Sequence, residues 1–257
     1  MIRITHVITN LSTGGAEMML LKLAAAGSAE FRHRVISLNE PGSIGPRLQQ
    51  LGVEVDALHF GGLRSISGYF RLSRILAQQR PDVIQGWMYH ANAVATLVAL
   101  QFRYTRKLIW SVRNSLDVSP PKFSTRIVIR LGAWLSSRPV SIIYNSWRAQ
   151  HQHEALGYAE SKSRYISNGI DLSSFCRSEK KRKEFRQQLG ISEDKIVIGT
   201  VGRADPQKDH VTFVQAAASI ADKNSQVVFL IAGRGVPTEF SHNDQFDGEK
   251  GLAETYL

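Results

Sequence analysis

The chain has 257 residues, 43% apolar and 21% charged, an ordinary globular composition that fits one large domain or two of common size. Its formal net charge of +10 attracts nucleic acid, anionic lipid headgroups or phosphorylated substrates. No apolar run approaches the about eighteen residues of a membrane-spanning helix, and the single cysteine, Cys176, excludes an intramolecular disulfide. No RNP-type aromatic motif or zinc-finger spacing is present, which makes nucleic acid the weakest of the three partners.

Apolar runs bounded by turn residues alternate with helical patterns over the first two thirds of the chain. The predicted strands are Ile2–Thr9, Arg34–Leu38, Val53–Leu58, Asp82–Gln85, Leu108–Val112, Ser141–Tyr144 and Tyr165–Ser167. The predicted helices, whose apolar residues recur at three and four positions, are Ala16–Ala26, Pro46–Leu51, Gly68–Gln79, Ala91–Phe102, Thr125–Ser136 and Arg148–Leu156. Alternation of this kind predicts an α/β fold in which residues 1–170 form a complete Rossmann-like domain with a parallel sheet.

The rest of the chain predicts one further β-α-β unit. Residues 171–194 are predicted as a linker with a short helix, whose basic run Lys180–Lys183 we interpret as a solvated face. A strand, a helix and a strand then follow at Lys195–Thr200, Val211–Ala221 and Gln226–Ala232. Because one such unit is too small for a whole Rossmann-like domain, residues 195–235 are interpreted as the start of a second domain that is cut off, and 236–257 as an irregular tail.

A glycine pair, Gly14–Gly15, stands where the first strand passes into the first helix. Glycines permit close approach of a ligand to the backbone, and the helix offers its positive N-terminal dipole to negative charge. We therefore expect Gly14 and Gly15 to meet a ligand, whereas Glu17 is explained by dipole compensation alone. The dinucleotide fingerprint GxGxxG and the P-loop motif are absent, which argues against NAD-dependent dehydrogenases and P-loop enzymes.

Two further candidates follow later strands. His90 opens the helix after the strand that ends near Gln85, at the edge where open α/β sheets bind ligands. A histidine at this place either meets the substrate, caps its own helix or fills a polar pocket, and we favour the substrate. Arg113 follows the next strand, where its guanidinium either clamps a phosphate or hydroxyl of an acceptor or pairs with a neighbouring acid.

The segment Val201–His210 is the most informative in the chain. It places a glycine, a turn and two cations, Arg203 and Lys208, between a predicted strand and a predicted helix, which is the local pattern of a phosphate site. An ordinary turn with solvated charges would give the same pattern, so the segment alone leaves both interpretations open.

Taken in order, these segments resemble the retaining glycosyltransferases of the two-Rossmann-domain (GT-B) class, specifically the large GT4 family. Tyr144–Ser146, His153 and Asn168–Asp171 add to the resemblance, which runs from Met1 to about Gly235. We interpret these three added segments as structural, with Asn168 and Gly169 forming a turn between domains.

The resemblance implies that residues 1–170 are the acceptor-side domain and that residues 195–235 begin the nucleotide-sugar-binding domain. It also implies a role for each site residue. It places Gly14 and Gly15 against the diphosphate and sugar of a nucleotide-sugar donor, gives His90 the catalytic position facing that sugar, and assigns Arg203 and Lys208 to the diphosphate. Such an enzyme needs no metal and no cofactor, because the side-chain cations neutralise the leaving group. Consistent with this, the sequence holds no HExxH or DxD motif.

The function implied is transfer of a sugar, with retention, to an envelope or exopolysaccharide acceptor. The expected partners are a nucleotide sugar, a glycan or lipid-linked acceptor and an anionic membrane surface, without nucleic acid. The expected location is the cytoplasm, including the inner face of the cell membrane. The family's Glu-x7-Glu pair has no counterpart, since no two glutamates stand eight positions apart. A non-catalytic module that binds an anionic lipid-linked glycan therefore stays open as the alternative.

Overall fold

In the computed structural model, every strand pair among the described residues is parallel. The structure describes residues 1–27, 29–116, 123–173, 175–233 and 235–236. By its internal contacts the chain divides into two compact units, Met1–Gly169 and Ile170–Leu257. Within the described ranges, each helix is too short or too polar to cross a bilayer.

The first unit contains a seven-stranded sheet with the order β3-β2-β1-β4-β5-β6-β7. Its strands are β1 Ile2–Ile8, β2 Phe31–Ser37, β3 Glu54–Ala57, β4 Val83–Trp87, β5 Leu108–Val112, β6 Ser141–Tyr144 and β7 Ser163–Tyr165. The chain first builds outward from β1 to β3 and then returns to place β4 on the other side of β1. This reversal creates the topological switch point at which doubly wound sheets bind ligands.

Six α-helices in the described part of this unit cover the sheet and form two apolar cores with it. They are α1 Gly15–Ala25, α2 Gly45–Gln50, α3 Arg64–Gln79, α4 Met88–Gln101, α5 Phe123–Leu135 and α6 Trp147–Ala155. One core joins α1 and α2 to the sheet through residues such as Leu20 and Leu48, and the other joins α3 to α6 through residues such as Leu72 and Ala95. The predicted α/β fold with a parallel Rossmann-like sheet is confirmed.

Several predicted boundaries in this unit are wrong, including the start of β2, which lies at Phe31 rather than Arg34, and three of them have a clear physical reason. Helix α4 begins at Met88 rather than Ala91, because β4 passes into it without a loop and Met88 takes a left-handed conformation with φ 68°. Helix α3 begins at Arg64 rather than Gly68, since Gly68 is an interior residue packed against the Phe60 ring. Strand β7 ends rather than begins at Tyr165, because pairing with β6 sets Tyr165 opposite Tyr144.

The second unit contains α7 Glu179–Gln188, β8 Ile196–Val201, α8 His210–Ala221 and β9 Val227–Ala232. No residue of α7, β8 or β9 is buried, and Val201 is 85% exposed. The predicted basic helix and the predicted β-α-β unit are thus both present. Of the predicted irregular tail, residues 236–257, only Val236 lies within the described residues.

Candidate functional site

The carboxyl ends of β1, β4 and β5 lie side by side because these strands are neighbours in the sheet. Gly14–Gly15 follow β1, His90 lies in the first turn after β4, and Arg113 comes directly after β5. The structure therefore brings four of the six predicted site residues to one edge. The other two, Arg203 and Lys208, belong to the second unit.

The two glycines at the start of α1 have different surroundings. Gly14 is the N-cap residue, in an extended conformation, and a Cβ atom added to it would overlap the Glu17 carboxylate. A Cβ atom added to Gly15 would meet no atom within 4 Å. The space over Gly15 is open to a ligand, while the charge of Glu17 already lies at the helix N-terminus, as expected for dipole compensation.

A second loop braces the segment that carries these glycines. The Ile44 amide donates to the Leu11 carbonyl at 2.9 Å, and the hydroxyls of Thr13 and Ser43 lie 2.9 Å apart. Gly42 has φ 49°, and a Cβ atom there would overlap the backbone of Leu11. Only glycine fits this close approach without strain, so the loops after β1 and β2 are fixed to each other.

His90 is half-buried in the first turn of α4, where burial lowers its pKa. The imidazole is therefore neutral at neutral pH and presents one donor and one acceptor. Gly86 lets α4 lie close to β4, because a Cβ atom there would overlap the side chain of Asn92 and come within 2.9 Å of its Cα. The position of His90 is thus set by a strand-to-helix junction in which β4 and α4 are in close contact.

Tyr89, the neighbour of His90, ties α4 to α6. The Nδ1 atom of the buried His153 lies 2.6 Å from the Ala149 carbonyl, which can only accept, so Nδ1 carries the proton. The Tyr89 hydroxyl then donates to Nε2 of His153 at 3.1 Å. Ser146 caps α6 by accepting from the Ala149 amide at 3.1 Å. These contacts agree with the structural interpretation of His153 and Ser146.

Arg113 has protein partners on several sides. Its Nε donates to Ser111 Oγ at 3.0 Å, its Nη1 donates to Asn168 Oδ1, and its guanidinium carbon lies 5.1 Å from the centroid of the Trp87 ring. Partial burial lowers the pKa of the guanidinium, which nevertheless stays charged. These partners are all neutral. A neighbouring acid was the expected alternative to ligand binding, and the side-chain amide of Asn168 takes its place.

Sequence reasoning missed a buried chain of hydrogen bonds beneath this edge. The Trp87 indole N–H can only donate, and it donates a hydrogen bond to His6 Nδ1 at 3.2 Å. The proton of His6 is therefore on Nε2, which donates to His33 Nδ1 at 3.0 Å. Complete burial and the neighbouring His33 lower the pKa of His6 to about 3. The one available signal was a histidine inside an apolar strand, and nothing in the sequence pairs it with Trp87.

Sequence reasoning also missed an open cavity beside the carboxyl ends of β2 and β3, with a volume of about 510 Å³. His59 Nδ1 and Glu40 Oε1 lie 2.8 Å apart on its wall. The other lining residues are Asn39, Phe60, Gly61, Leu63 and Arg64. Hydrogen-bonding groups beside an aromatic ring suit a ligand with several hydroxyls.

In the second unit, the cation Arg203 is exposed but engaged. It pairs with Asp205 at 2.8 Å, and the Gln207 amide followed by this guanidinium lowers the pKa of the Asp205 carboxyl. Lys208 is exposed and its methylenes lie beside Gly202. An anion on this turn would find Lys208 in place but would compete with Asp205 for Arg203.

Helix α8 begins directly after this turn. Asp209, in a left-handed conformation with φ 49°, caps the helix by accepting from the Thr212 amide. The predicted sequence of strand, turn and helix is therefore present, with its N-terminal amides partly satisfied by the chain itself. Across the described ranges, no group of three His, Cys, Asp or Glu side chains is placed to hold a metal ion.

Comparison with known proteins gives two family matches. The model of Glycosyltransferase Family 4 matches residues 13–174, and that of Glycosyl transferases group 1 matches residues 181–257. Among curated proteins, the chain is 34% identical over 85 residues to the Escherichia coli UDP-Gal:alpha-D-GlcNAc-diphosphoundecaprenol alpha-1,3-galactosyltransferase, an alignment of 32% of this chain and 22% of that protein. It is 21% identical over 186 residues to the Staphylococcus aureus capsular polysaccharide biosynthesis glycosyltransferase CapH, covering 71% of this chain and 51% of CapH.

Among solved structures, Anabaena HepE in complex with UDP and glucose superposes with a TM-score of 0.74 at 22% identity, over 90% of this chain and 61% of HepE. That likeness shows a shared fold. The chain spans about half or less of the length of the two curated relatives. Since the first family model covers more than half of the 257 residues, the chain belongs to Glycosyltransferase Family 4.

Proposed function

We propose that the protein transfers a sugar from a nucleotide-sugar donor to a glycan or lipid-linked acceptor, with retention of configuration. The observation that carries the proposal is the pair of family matches, which together take in all six candidate site residues. The open space over Gly15, one strand away from the half-buried His90, supports it as a place for a sugar.

We propose a UDP-sugar as the donor. The E. coli relative is named for UDP-Gal as its donor, and HepE was solved with UDP and glucose. In this chain Lys208 and Arg203 would bind the diphosphate, with Arg203 leaving Asp205 to do so. Fixed cations of this kind stabilise the charge that develops as the nucleotide leaves, and we therefore propose transfer without a metal or other cofactor.

We assign to the first unit the acceptor side of the reaction and the placement of the donor sugar. The bond between the anomeric carbon and the diphosphate breaks, and its electron pair leaves with the diphosphate. The acceptor hydroxyl forms a new bond on the same face of the sugar and passes its proton to the departing diphosphate. His90, neutral because of its burial, would act as the catalytic residue by hydrogen bonding to the sugar hydroxyls. Arg113 would bind the acceptor through an N–H group of its guanidinium that is not engaged with Ser111 or Asn168.

The acceptor we propose is a glycan of the cell envelope, built on a lipid or as a free polysaccharide. The E. coli relative is named for a diphosphoundecaprenol acceptor and CapH for capsular polysaccharide. The cavity bounded by Glu40 and His59 lies on the same edge of the sheet and has groups that bind hydroxyls. We place the protein in the cytoplasm, with contact to the membrane surface.

The test is nucleotide release by the gene product that contains these 257 residues. It is incubated with a panel of UDP-sugars and an undecaprenyl-diphosphate glycan in EDTA, and the product anomer is identified by NMR. We expect UDP release and an α-linked product from an α-linked donor. Glycan binding without release of any nucleotide would instead favour the non-catalytic alternative. An inverted product would remove the assignment of retention.

A further inference from the structure

Helix α5 exposes a stripe of large apolar side chains to solvent. Phe123, Ile127, Leu131 and Trp134 follow one another at helical spacing, and Phe123 and Trp134 are 76% and 73% exposed. The opposite side of the helix is also apolar, with Ile129, Gly132 and Leu135 buried against the rest of the unit. A helix that is apolar on both its inner and its outer side is normally buried against other protein or against lipid.

Two neighbouring helices extend this surface. Helix α4 packs against both α3 and α5, and Gln101 of α4 accepts hydrogen bonds from Tyr69 and Ser73 of α3. Helix α3 exposes Ile66 and Phe70, and α4 exposes Leu97 and Leu100. We name this set of outward residues on α3, α4 and α5 the apolar-basic face.

The charge of this face has one sign. The three helices contain five arginines and no Asp or Glu. Arg126 and Arg130 lie exposed beside the α5 stripe, and Arg74 lies exposed one turn beyond Phe70. From Ala57 to His153 the sequence has thirteen Lys and Arg against two acids, Asp82 and Asp117. Asp82 forms an ion pair with Arg3, and Asp117 lies outside the described residues.

We propose that the apolar-basic face is the surface through which this protein lies on an anionic lipid bilayer. Aromatic and aliphatic side chains at a helix surface insert at the level of the headgroups, and flanking arginines bind anionic lipid. A second copy of the chain fits less well, because two such faces would bring arginines against arginines, and the acid that pairs with Arg71 at 3.9 Å, Asp56, belongs to β3 rather than to these helices. The proposal rests on the proposed function in that a lipid-linked acceptor lies in such a bilayer.

Binding is measured by flotation of the 257-residue chain with vesicles of about three parts phosphatidylcholine to one part phosphatidylglycerol, and with vesicles of phosphatidylcholine alone. We expect binding to the anionic vesicles only. The double variant Arg126→Gln, Arg130→Gln should lower that binding about tenfold or more. Its matched control, Lys181→Gln with Lys183→Gln on α7, removes the same charge from another exposed helix and should have little effect.

The apolar part of the proposal has its own controls. Ile127→Ser should weaken vesicle binding several-fold, whereas the same change at Ile220, exposed on α8, should not. Anionic vesicles should also shift the tryptophan emission of the chain to the blue. Trp134→Phe should remove the shift while retaining binding, and Trp147→Phe should leave the shift in place, since both indoles are exposed.

Equal losses in the α5 and α7 charge variants would overturn the proposal, because binding would then follow net charge alone. So would failure to bind vesicles together with a dimer in ultracentrifugation that Trp134→Ser dissociates, since the face would then be covered by a second copy. The vesicles contain neither acceptor nor nucleotide sugar. A negative result therefore leaves sugar transfer standing, and a failure of sugar transfer leaves vesicle binding standing.

Discussion

The guanidinium of Arg113 lies over the ring of Trp87, 5.1 Å from its centroid, and so links the carboxyl ends of β5 and β4. Trp87 is almost completely buried and donates to His6 from the edge of its ring. Arg113 in turn reaches Asn168, at the end of the first unit. One arginine therefore connects the candidate site to the core beneath it and to the segment that leaves the unit.

Replacing Arg113 with Met should lower the free energy of unfolding of the first unit by about 1–2 kcal/mol, because a cation-π contact and charged hydrogen bonds are lost while the methylenes remain. Urea denaturation followed by tryptophan fluorescence measures the change. Arg106→Met, at an exposed position, is the control and should cost much less. Similar losses in both variants would show that the contacts of Arg113 add no stability.

The stability of the first unit should fall at mildly acidic pH because of His6. The unfolded chain takes up a proton below the ordinary pKa of 6.5, whereas folded His6 stays neutral until about 3. More protons are then bound by the unfolded state, so the free energy of unfolding decreases as the pH falls between these values, by about 2 kcal/mol from about pH 7.5 to about pH 5.

Urea denaturation at several pH values measures this slope. His6→Asn, which keeps an acceptor for the Trp87 indole, should be less stable at neutral pH and depend less on pH. His151→Gln, at an exposed position, should retain the slope. Ring ¹⁵N shifts showing His6 protonated near pH 6 would contradict the argument.

Each cation of the turn after β8 should be needed for turnover. Arg203→Glu and Lys208→Glu should abolish nucleotide release and leave the circular dichroism spectrum unchanged, because both side chains are exposed. Asp205→Asn should tighten UDP binding several-fold in calorimetry, since Arg203 loses its ion pair and the amide oxygen still caps the Gln207 amide. Lys183→Glu on α7 is the charge control. Full activity in the Lys208 variant, or strict dependence on a divalent ion, would refute the diphosphate role.

Gly15→Val should impair activity more than stability. A side chain at this position has open space in the folded protein, and it would fill the volume assigned to the donor sugar. The contrasting variant is Gly86→Ala, in which the new methyl group meets the backbone of Asn92 and should lower the free energy of unfolding by about 2 kcal/mol. Kinetics and thermal unfolding of both variants test the contrast. Unchanged kinetics in Gly15→Val would show that the substrate does not approach this loop.

The second unit should exchange its amide hydrogens faster than the first. Neither β8 nor β9 contains a buried residue, whereas β1 and β4 each have four. Few buried contacts mean a low free energy of local opening, so amides of β8 and β9 should show much less protection by mass spectrometry. Equal protection in β1 and β8 of the 257-residue chain would contradict this expectation.

Most of the fold could be predicted because the strands are short apolar runs between clear turns. Leu108–Val112 and Ser141–Tyr144 match β5 and β6 residue for residue. The start of α4 could not be predicted, since a methionine in a left-handed conformation leaves no mark in the sequence. The end of β7 was equally hidden, because it depends on pairing with β6 rather than on local propensity.

The candidate site divides in the same way. The places of Gly15, His90 and Arg113 at one edge follow from the strand order, which local patterns predict well. The hydrogen-bonding partners in and beneath the site could not be predicted from local patterns. The bond from Trp87 to His6 joins residues 81 positions apart, and the cavity wall joins loops after two different strands. The pairing of Arg203 with Asp205 spans two positions, yet the sequence alone also allowed a solvated turn.

The close packing of Gly42 on Leu11 has a consequence for ligand response. The loop after β1 cannot shift by much unless the loop after β2 moves with it, because the two share a hydrogen bond and a backbone contact without a gap. A molecule that displaces Gly14 or Gly15 would therefore act on the conformations around Ser43, and a molecule that displaces the loop at Asn39 and Glu40 would act on the glycine loop. Thermodynamic linkage makes these two effects equal. With donor and acceptor bound as proposed, at the glycine loop and at the cavity, the binding of each would change the affinity for the other without direct contact between them.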